Sequence, residues 1–236
     1  MYKVGTWITN GEVKLFEPQS IEWLETRKKY VTATEASSIL GLDKYQTASK
    51  VYRGKIEEVQ VIDNIFMRAG RFLEPAIIAD LNNYGIPAAP AHPTATVMVI
   101  DKKTGLSSSL DGIAEWNNTK YIVECKTTSG TDKDEGRSKF EVWNDKIPMK
   151  YYVQVQVQMG VTGVHQALLV CVEAVIPFPI IGWEITFDKE LYESLGKEVE
   201  RFWKTFQGGA KRFVSNTNLQ NRVLKTWDKH ATLILS

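Results

Sequence analysis

The apolar positions of this chain change rhythm twice. Up to about residue 90 they recur at helical spacing, from Thr94 they alternate or run together as in strands, and near Lys189 the helical spacing returns. In SIEWLETRKK, Ser20 is placed to cap a helix whose last turn carries Arg27, Lys28 and Lys29. TEASSILG reads as a short helix with Thr34 as N-cap and Gly41 as its stop. A third helix is expected from Asp63 to Tyr84, with Phe66, Leu73, Ile77 and Leu81 at helical spacing and Pro75 kinking or dividing it. The strand segments are TATVMVI, SLDGIAEW, KYIVECK, ALLVCVE and IIGWEITF, with the polar turn DKKTG after the first. Val153 to Met159 reads two ways. It alternates as a strand should, but Pro148, a stop at Gly160 or Gly163, and Tyr151, Gln154 and Gln158 at i, i+3 and i+7 also describe a buried helix with one polar stripe.

Helices, a meander of strands, a helix, two strands and closing helices predict an α+β or mixed α/β fold, a central mixed sheet flanked by helices. One domain over 1–236 is expected, with a helical part about 18–90, a sheet about 94–188 and C-terminal helices about 189–236. Asn117-Asn118 tolerates positive φ at both positions and therefore suits a two-residue type I′ turn. Facing residues across that turn have numbers summing to 235, which pairs Glu115 with Lys120, Ile113 with Ile122 and Asp111 with Glu124. The first pair is of opposite charge and the second is apolar, and a slip of one residue would lose both. In this register Asp111 and Glu124 share a face with Cβ atoms about 4.5 to 5.5 Å apart, and Lys126 points the same way.

Two facing carboxylates repel unless a positive charge lies between them, so a divalent cation is the expected occupant. An all-oxygen donor set favours Mg²⁺ or Mn²⁺. Lys126 could orient or deprotonate a water, or neutralise charge growing at phosphorus, which suits phosphodiester hydrolysis.

Composition adds limits. Hydrophobic residues make up 43% of the 236, enough for a sizeable core, and seven Trp with nine each of Tyr and Phe suit either packing or base contacts. The net charge is only +1, but from Lys189 onward nine Lys or Arg meet five Asp or Glu, leaving +4 there and −3 elsewhere. Cys125 and Cys171 lie in apolar strand runs and are expected to be buried, reduced thiols; two cysteines exclude a four-cysteine metal cluster. No stretch approaches the roughly 20 apolar residues of a membrane span, and no export signal is evident, so a cytoplasmic protein is expected. His92, His165 and His230 form no ligand pattern. Residues Thr127 to Ser138 are expected to be a mobile loop; tryptophans are more often core than base-stacking, with Trp143 the candidate for a DNA contact.

SLDG followed by Glu-Cys-Lys resembles the PD-(D/E)XK nuclease superfamily, with Leu110 where the superfamily's name has proline. Arg27, TATEASSILG, GRFLEP and IPMKYYVQVQVQMGVTG narrow the resemblance to the lambda-exonuclease or YqaJ-type viral recombinase family over roughly residues 20 to 175. That resemblance implies a restriction-endonuclease-like core and a Mg²⁺-dependent 5′-to-3′ exonuclease acting on linear duplex DNA ends, a ring-shaped homotrimer of phage or prophage origin working with a single-strand annealing protein. It assigns metal binding to Asp111 and Glu124, with the Cys125 carbonyl and Glu74 as further ligands, and catalysis to Lys126 with Tyr151 and Gln154 on a helix. Arg27 and Thr34 resemble the pair that receives the terminal 5′ phosphate, in keeping with the free N–H groups of a helix N-terminus and the two-pronged grip of arginine. The rivals are another nuclease of the superfamily, RecB-like or structure-specific, and a DNA-binding module that kept the fold without the chemistry.

Overall fold

Polar side chains open most of the helices in the computed structural model, which describes residues 4–58 and 64–236. Strand β1 (Glu12–Phe16) precedes α1 (Ile21–Lys28), where Ser20 Oγ accepts from Trp23 N at 3.3 Å as predicted. The two-residue β2 (Val31–Thr32) leads directly into α2 (Ala33–Ile39). Its N-cap is Thr32 rather than the expected Thr34, because Glu35 stands three residues on and its carboxylate accepts from Thr32 N at 2.8 Å, closing a capping box. After α3 (Ala48–Ile56), Asn64 Oδ1 accepts from the N–H groups of Phe66 and Met67, both at 3.0 Å, and starts α4 (Ile65–Leu81). The predicted start at Asp63 lies outside the described residues. Pro75 does not divide α4, which continues as one helix through it.

Strands β3 (Ala88–Pro90), β4 (Thr96–Asp101), β5 (Leu106–Leu110), β6 (Gly112–Trp116) and β7 (Thr119–Thr128) follow. The predicted loop after β7 is folded into a small hairpin, β8 (Thr131–Asp132) with β9 (Arg137–Ser138), entered through Gly130 at φ 76° and turned with Gly136 at φ 68°. Then come α5 (Lys139–Asp145), α6 (Met149–Thr162), β10 (Gln166–Glu173), β11 (Ile180–Thr186), α7 (Lys189–Gln207), α8 (Thr217–Thr226) and β12 (Ala231–Leu235). The segment that reads two ways is thus the helix α6, as the family resemblance implies. It is buried on every side from Tyr152 to Thr162, so its polar residues report particular partners rather than a solvent face. The end of the chain is not all helix, since β12 adds an edge strand to β11.

Apart from the β8–β9 hairpin, the strands among the described residues form two sheets where one was expected. A four-stranded sheet runs β1-β4-β5-β2, and a six-stranded sheet runs β12-β11-β10-β7-β6-β3. The chain passes from the first sheet to the second between β5 and β6, and the single residue at the crossing is Asp111. The predicted hairpin forms in the predicted register, with Ile113 opposite Ile122 and Glu115 opposite Lys120. Both turn asparagines have positive φ, 50° and 60°. Strand β7 pairs in parallel with β10, and both faces of the pair are covered, which explains the continuous apolar run Ala167 to Val172 of β10 and Tyr121-Ile122-Val123 in β7. One face, with Ile113, Ile122, Leu169 and Ile185, packs on α2, α6 and α7. The other, with Ala114, Tyr121, Val123 and Val170, packs on Ile77, Ile78 and Leu81 of α4. Cys171 is buried as expected, whereas Cys125 is only half-buried; both are free thiols. Trp143 is a core residue and not a surface DNA contact: it is 3% exposed, stacks on Tyr151 at 5.4 Å, and its carbonyl accepts from Trp183 Nε1.

Candidate active site

Period-two alternation carries Glu124 and Lys126 onto the same face as Ile122, toward α6. Glu124 is 2% exposed and is surrounded by donors. Lys126 Nζ and Gln154 Nε2 donate to its Oε1, and Gln158 Nε2 donates to its Oε2. Asp111, just ahead of β6, sends Oδ2 across to the backbone N–H of Cys125 at 2.9 Å, so the side chain takes the place of a ladder partner where the hairpin ends. Its own carbonyl accepts from Ala91 N at 3.0 Å.

Electrostatics tie Asp111, Glu124 and Glu74 of α4 together. Burial first, then the negative charges of Glu124 and Glu74, hold the Asp111 carboxyl well above the usual carboxylate range; Lys126 and the Cys125 N–H oppose this incompletely. Burial and Glu124 also raise Glu74, again against Lys126. Burial by itself lowers the Lys126 pKa, but Glu124 and Asp111 outweigh it and push the pKa up. In this arrangement Lys126 is therefore an ammonium ion, a donor and counter-charge rather than a base. Its Nζ also lies 4.9 Å from the centre of the Tyr151 ring, which Lys150 Nζ approaches at 4.7 Å and Trp143 stacks upon.

Three carboxylates and one ammonium leave an excess of negative charge around the buried Glu124, and every acidic donor is an oxygen. That combination fits a hard divalent cation. Among the described residues no three His, Cys, Asp or Glu side chains form a ready-made cage. The fit rests on the donor chemistry and on the raised Asp111 and Glu74, which a cation would relieve.

Arg27, Thr34 and Glu74 open onto the same cleft, of about 1970 Å³, as Asp111, Glu124, Cys125, Lys126, Tyr151 and Gln154. The structure thus gathers all nine residues singled out in the sequence. Arg27 lies over Trp23, 4.5 Å from the ring centre, and burial lowers its pKa while Glu35 opposes the fall. Thr34 is exposed, with its hydroxyl 3.0 Å from that of Thr32. The sequence reading missed Lys55 here, whose Nζ reaches Glu35 at 2.5 Å and the Arg27 carbonyl at 2.9 Å. Nothing local in α3 marks it. It also missed Gln158 as a partner of Glu124, although its place four residues after Gln154 is the signal that finds it. Among the histidines, His92 uses Nδ1 to accept from Thr94 N and Ala95 N, His165 stacks on Phe187, and His230 lies 3.6 Å from Asp188. No helix among the described residues is long and apolar enough to cross a membrane.

Comparison with known proteins gives this geometry a context. The alkaline exonuclease LHK-Exo of Laribacter hongkongensis superposes with a TM-score of 0.58 at 19% identity, covering 89% of this chain and 97% of that one. Its complex with dAMP superposes at 0.56 and 20% identity over the same shares. A phage-related exonuclease of Haemophilus somnus 129PT gives 0.50 at 14% identity, over 76% and 94% of the two chains. These likenesses establish a shared nuclease fold. In sequence, the chain is 27% identical over 185 residues to YqaJ of Bacillus subtilis (strain 168), covering 77% of this chain and 54% of YqaJ, so it spans about half the length of that relative. The YqaJ-like viral recombinase domain matches residues 22–165, and the chain belongs to that family.

Proposed function

We propose that this protein is a divalent-metal-dependent exonuclease that degrades one strand of linear duplex DNA from its 5′ end, leaving a single-stranded tail for phage-type recombination. The observation that carries the reading is the convergence of Asp111, Glu124 and Glu74 with Lys126 in one cleft, under mutual repulsion that raises Asp111 and Glu74. Membership of the viral recombinase family and the fold shared with exonucleases support it.

Asp111 and Glu124 hold the cation, Mg²⁺ or Mn²⁺, joined by the Cys125 carbonyl and by Glu74. When bound, it supplies Lewis-acid polarisation of a phosphate and a more acidic water. Lys126, as an ammonium ion, orients the attacking water and neutralises charge that develops on the phosphoryl oxygens. Gln154 fixes Glu124, and Tyr151 supports Lys126 through its ring. Arg27, backed by Trp23, and Thr34 receive the terminal 5′ phosphate in the same cleft, which gives the reaction its polarity. A ring of three copies acting in the cytoplasm with a single-strand annealing protein belongs to the same reading.

A gel assay on 5′-phosphorylated linear duplex tests it. Digestion is expected with Mg²⁺ or Mn²⁺ and not with chelator, closed circular duplex is expected to survive, and removal of the 5′ phosphate is expected to slow the reaction. Lys126→Ala should abolish digestion with the fold intact. Unchanged digestion by that variant, or cutting of closed circles, refutes the assignment.

A further inference from the structure

Glu124 has about four acceptor positions, two on each carboxylate oxygen. Lys126 and Gln154 fill those of Oε1. Gln158 takes one of those on Oε2 and leaves the other open. Gln154 and Gln158 are one turn apart on α6, so both amides reach the strand residue from the same side. The Gln158 amide has only one usable orientation. Its Nε2 also donates to the Ser109 carbonyl at 3.3 Å, and after a flip its oxygen would face a carboxylate and a carbonyl. That orientation leaves Gln158 Oε1 buried without a partner. An unmatched buried carbonyl is unfavourable, and a methionine would fill the same space without it. What the amide contributes in this place is a hold on Glu124.

We propose that Gln158 is a positioning residue for the cation site: with Gln154 it clamps Glu124 so that this carboxylate offers one coordination position, on Oε2, which favours a compact six-coordinate cation such as Mg²⁺ or Mn²⁺ over Ca²⁺. Calcium accepts six to eight oxygens and often takes both oxygens of one carboxylate, while the smaller ions keep an octahedral shell with single-oxygen ligands and water. The inference rests on the metal-dependent reading above. Gln156, on the same helix, provides an internal control, because its amide is engaged elsewhere, by the Thr186 carbonyl and the Asp188 N–H.

Calorimetric titration of the full chain with Mn²⁺ alone and with Ca²⁺ alone tests the clamp, with circular dichroism checking each variant's fold. Gln158→Met should weaken Mn²⁺ binding about 10- to 100-fold and Ca²⁺ binding less, as loss of an outer-shell partner does. The ratio of the two affinities should therefore narrow at least about fivefold, and Gln156→Met should keep the wild-type ratio. If Gln158→Met does not fold, Gln158→Asn, one methylene short of Glu124, should give the same narrowing. A folded Gln158 variant with the wild-type ratio overturns the clamp while leaving the metal reading standing. Wild-type protein with no saturable Mn²⁺ binding that Asp111→Asn removes would instead overturn the metal reading itself.

Discussion

Replacing Asp111 by asparagine should make the metal-free protein more stable. Asp111 is half-buried beside the negative charges of Glu124 and Glu74, with Lys126 opposing them. For unit charges taken as about 5 Å apart at an effective dielectric near 20, each charge–charge term is worth about 3 kcal/mol, so two repulsions against one attraction leave about 3 kcal/mol unfavourable. Asparagine keeps an acceptor for the Cys125 N–H but makes that hydrogen bond a neutral one, which gives back about 1 kcal/mol. The net gain of about 2 kcal/mol corresponds to a rise of about 4–8 °C in Tm for a chain of this size. The pH dependence has a definite sign. A carboxyl whose pKa is raised on folding contributes stability that is complete below its unfolded pKa and is lost as pH rises through the folded value. Melting curves in chelator should therefore show the variant's advantage at pH 8 and its disappearance toward pH 4. Saturating Mn²⁺ should raise the wild-type Tm and leave the variant's nearly unchanged. A variant no more stable than wild type at pH 8 without metal would refute the claim that these carboxylates crowd one another.

Three other perturbations probe the structure independently. Tyr151→Phe should keep most of the nuclease activity and Tyr151→Leu should lose about tenfold or more, because the ring face rather than the hydroxyl holds Lys126; equal losses in steady-state assays would contradict this. Gly160→Ala would put a methyl group 2.1 Å from the Tyr192 ring between α6 and α7, so urea melts should show a loss of about 1–3 kcal/mol, partly restored by adding Tyr192→Leu. Arg222→Ala would strand the Asp188 carboxylate, 4% exposed, which Arg222 grips at 2.7 and 2.9 Å and which caps α7, costing about 3 kcal/mol at neutral pH. Burial pushes Asp188 up, but Arg222 and the Leu191 N–H outweigh it and hold the pKa low; this stabilisation is present above the ordinary aspartate value and lost as pH falls through the folded one, so the Arg222→Ala deficit should shrink in acid.

The hairpin that carries the site was legible because it obeys local rules. A two-residue turn of paired asparagines fixes the register, and the register decides which side chains face one another. What escaped the sequence depends on distant partners. Strand β1 exists by pairing with β4, with Val13 opposite Val99, and β12 by pairing with β11; neither has a local signal strong enough to separate it from a loop or a helix end. The division into two sheets at Asp111 was invisible for the same reason, since SLDGIAEW reads as one strand. In α6 the residues alone left strand and helix open, because a helix buried on all sides need not show a periodic apolar stripe, and the family resemblance pointed to the helix that forms. The cap of α2 was recoverable: Thr32-Ala33-Thr34-Glu35 contains the Thr-x-x-Glu box, which outranks a lone threonine. Trp143 was misplaced because charged neighbours in sequence say nothing of Trp183 and Tyr151, which enclose it in space.

Because Asp111 is the one residue between β5 and β6, it belongs to the joint and to neither layer. Its side chain nonetheless bonds to the Cys125 N–H of β7, in the second sheet. A rotation of one sheet against the other would therefore move the Asp111 carboxylate relative to Glu124 while every strand remained intact.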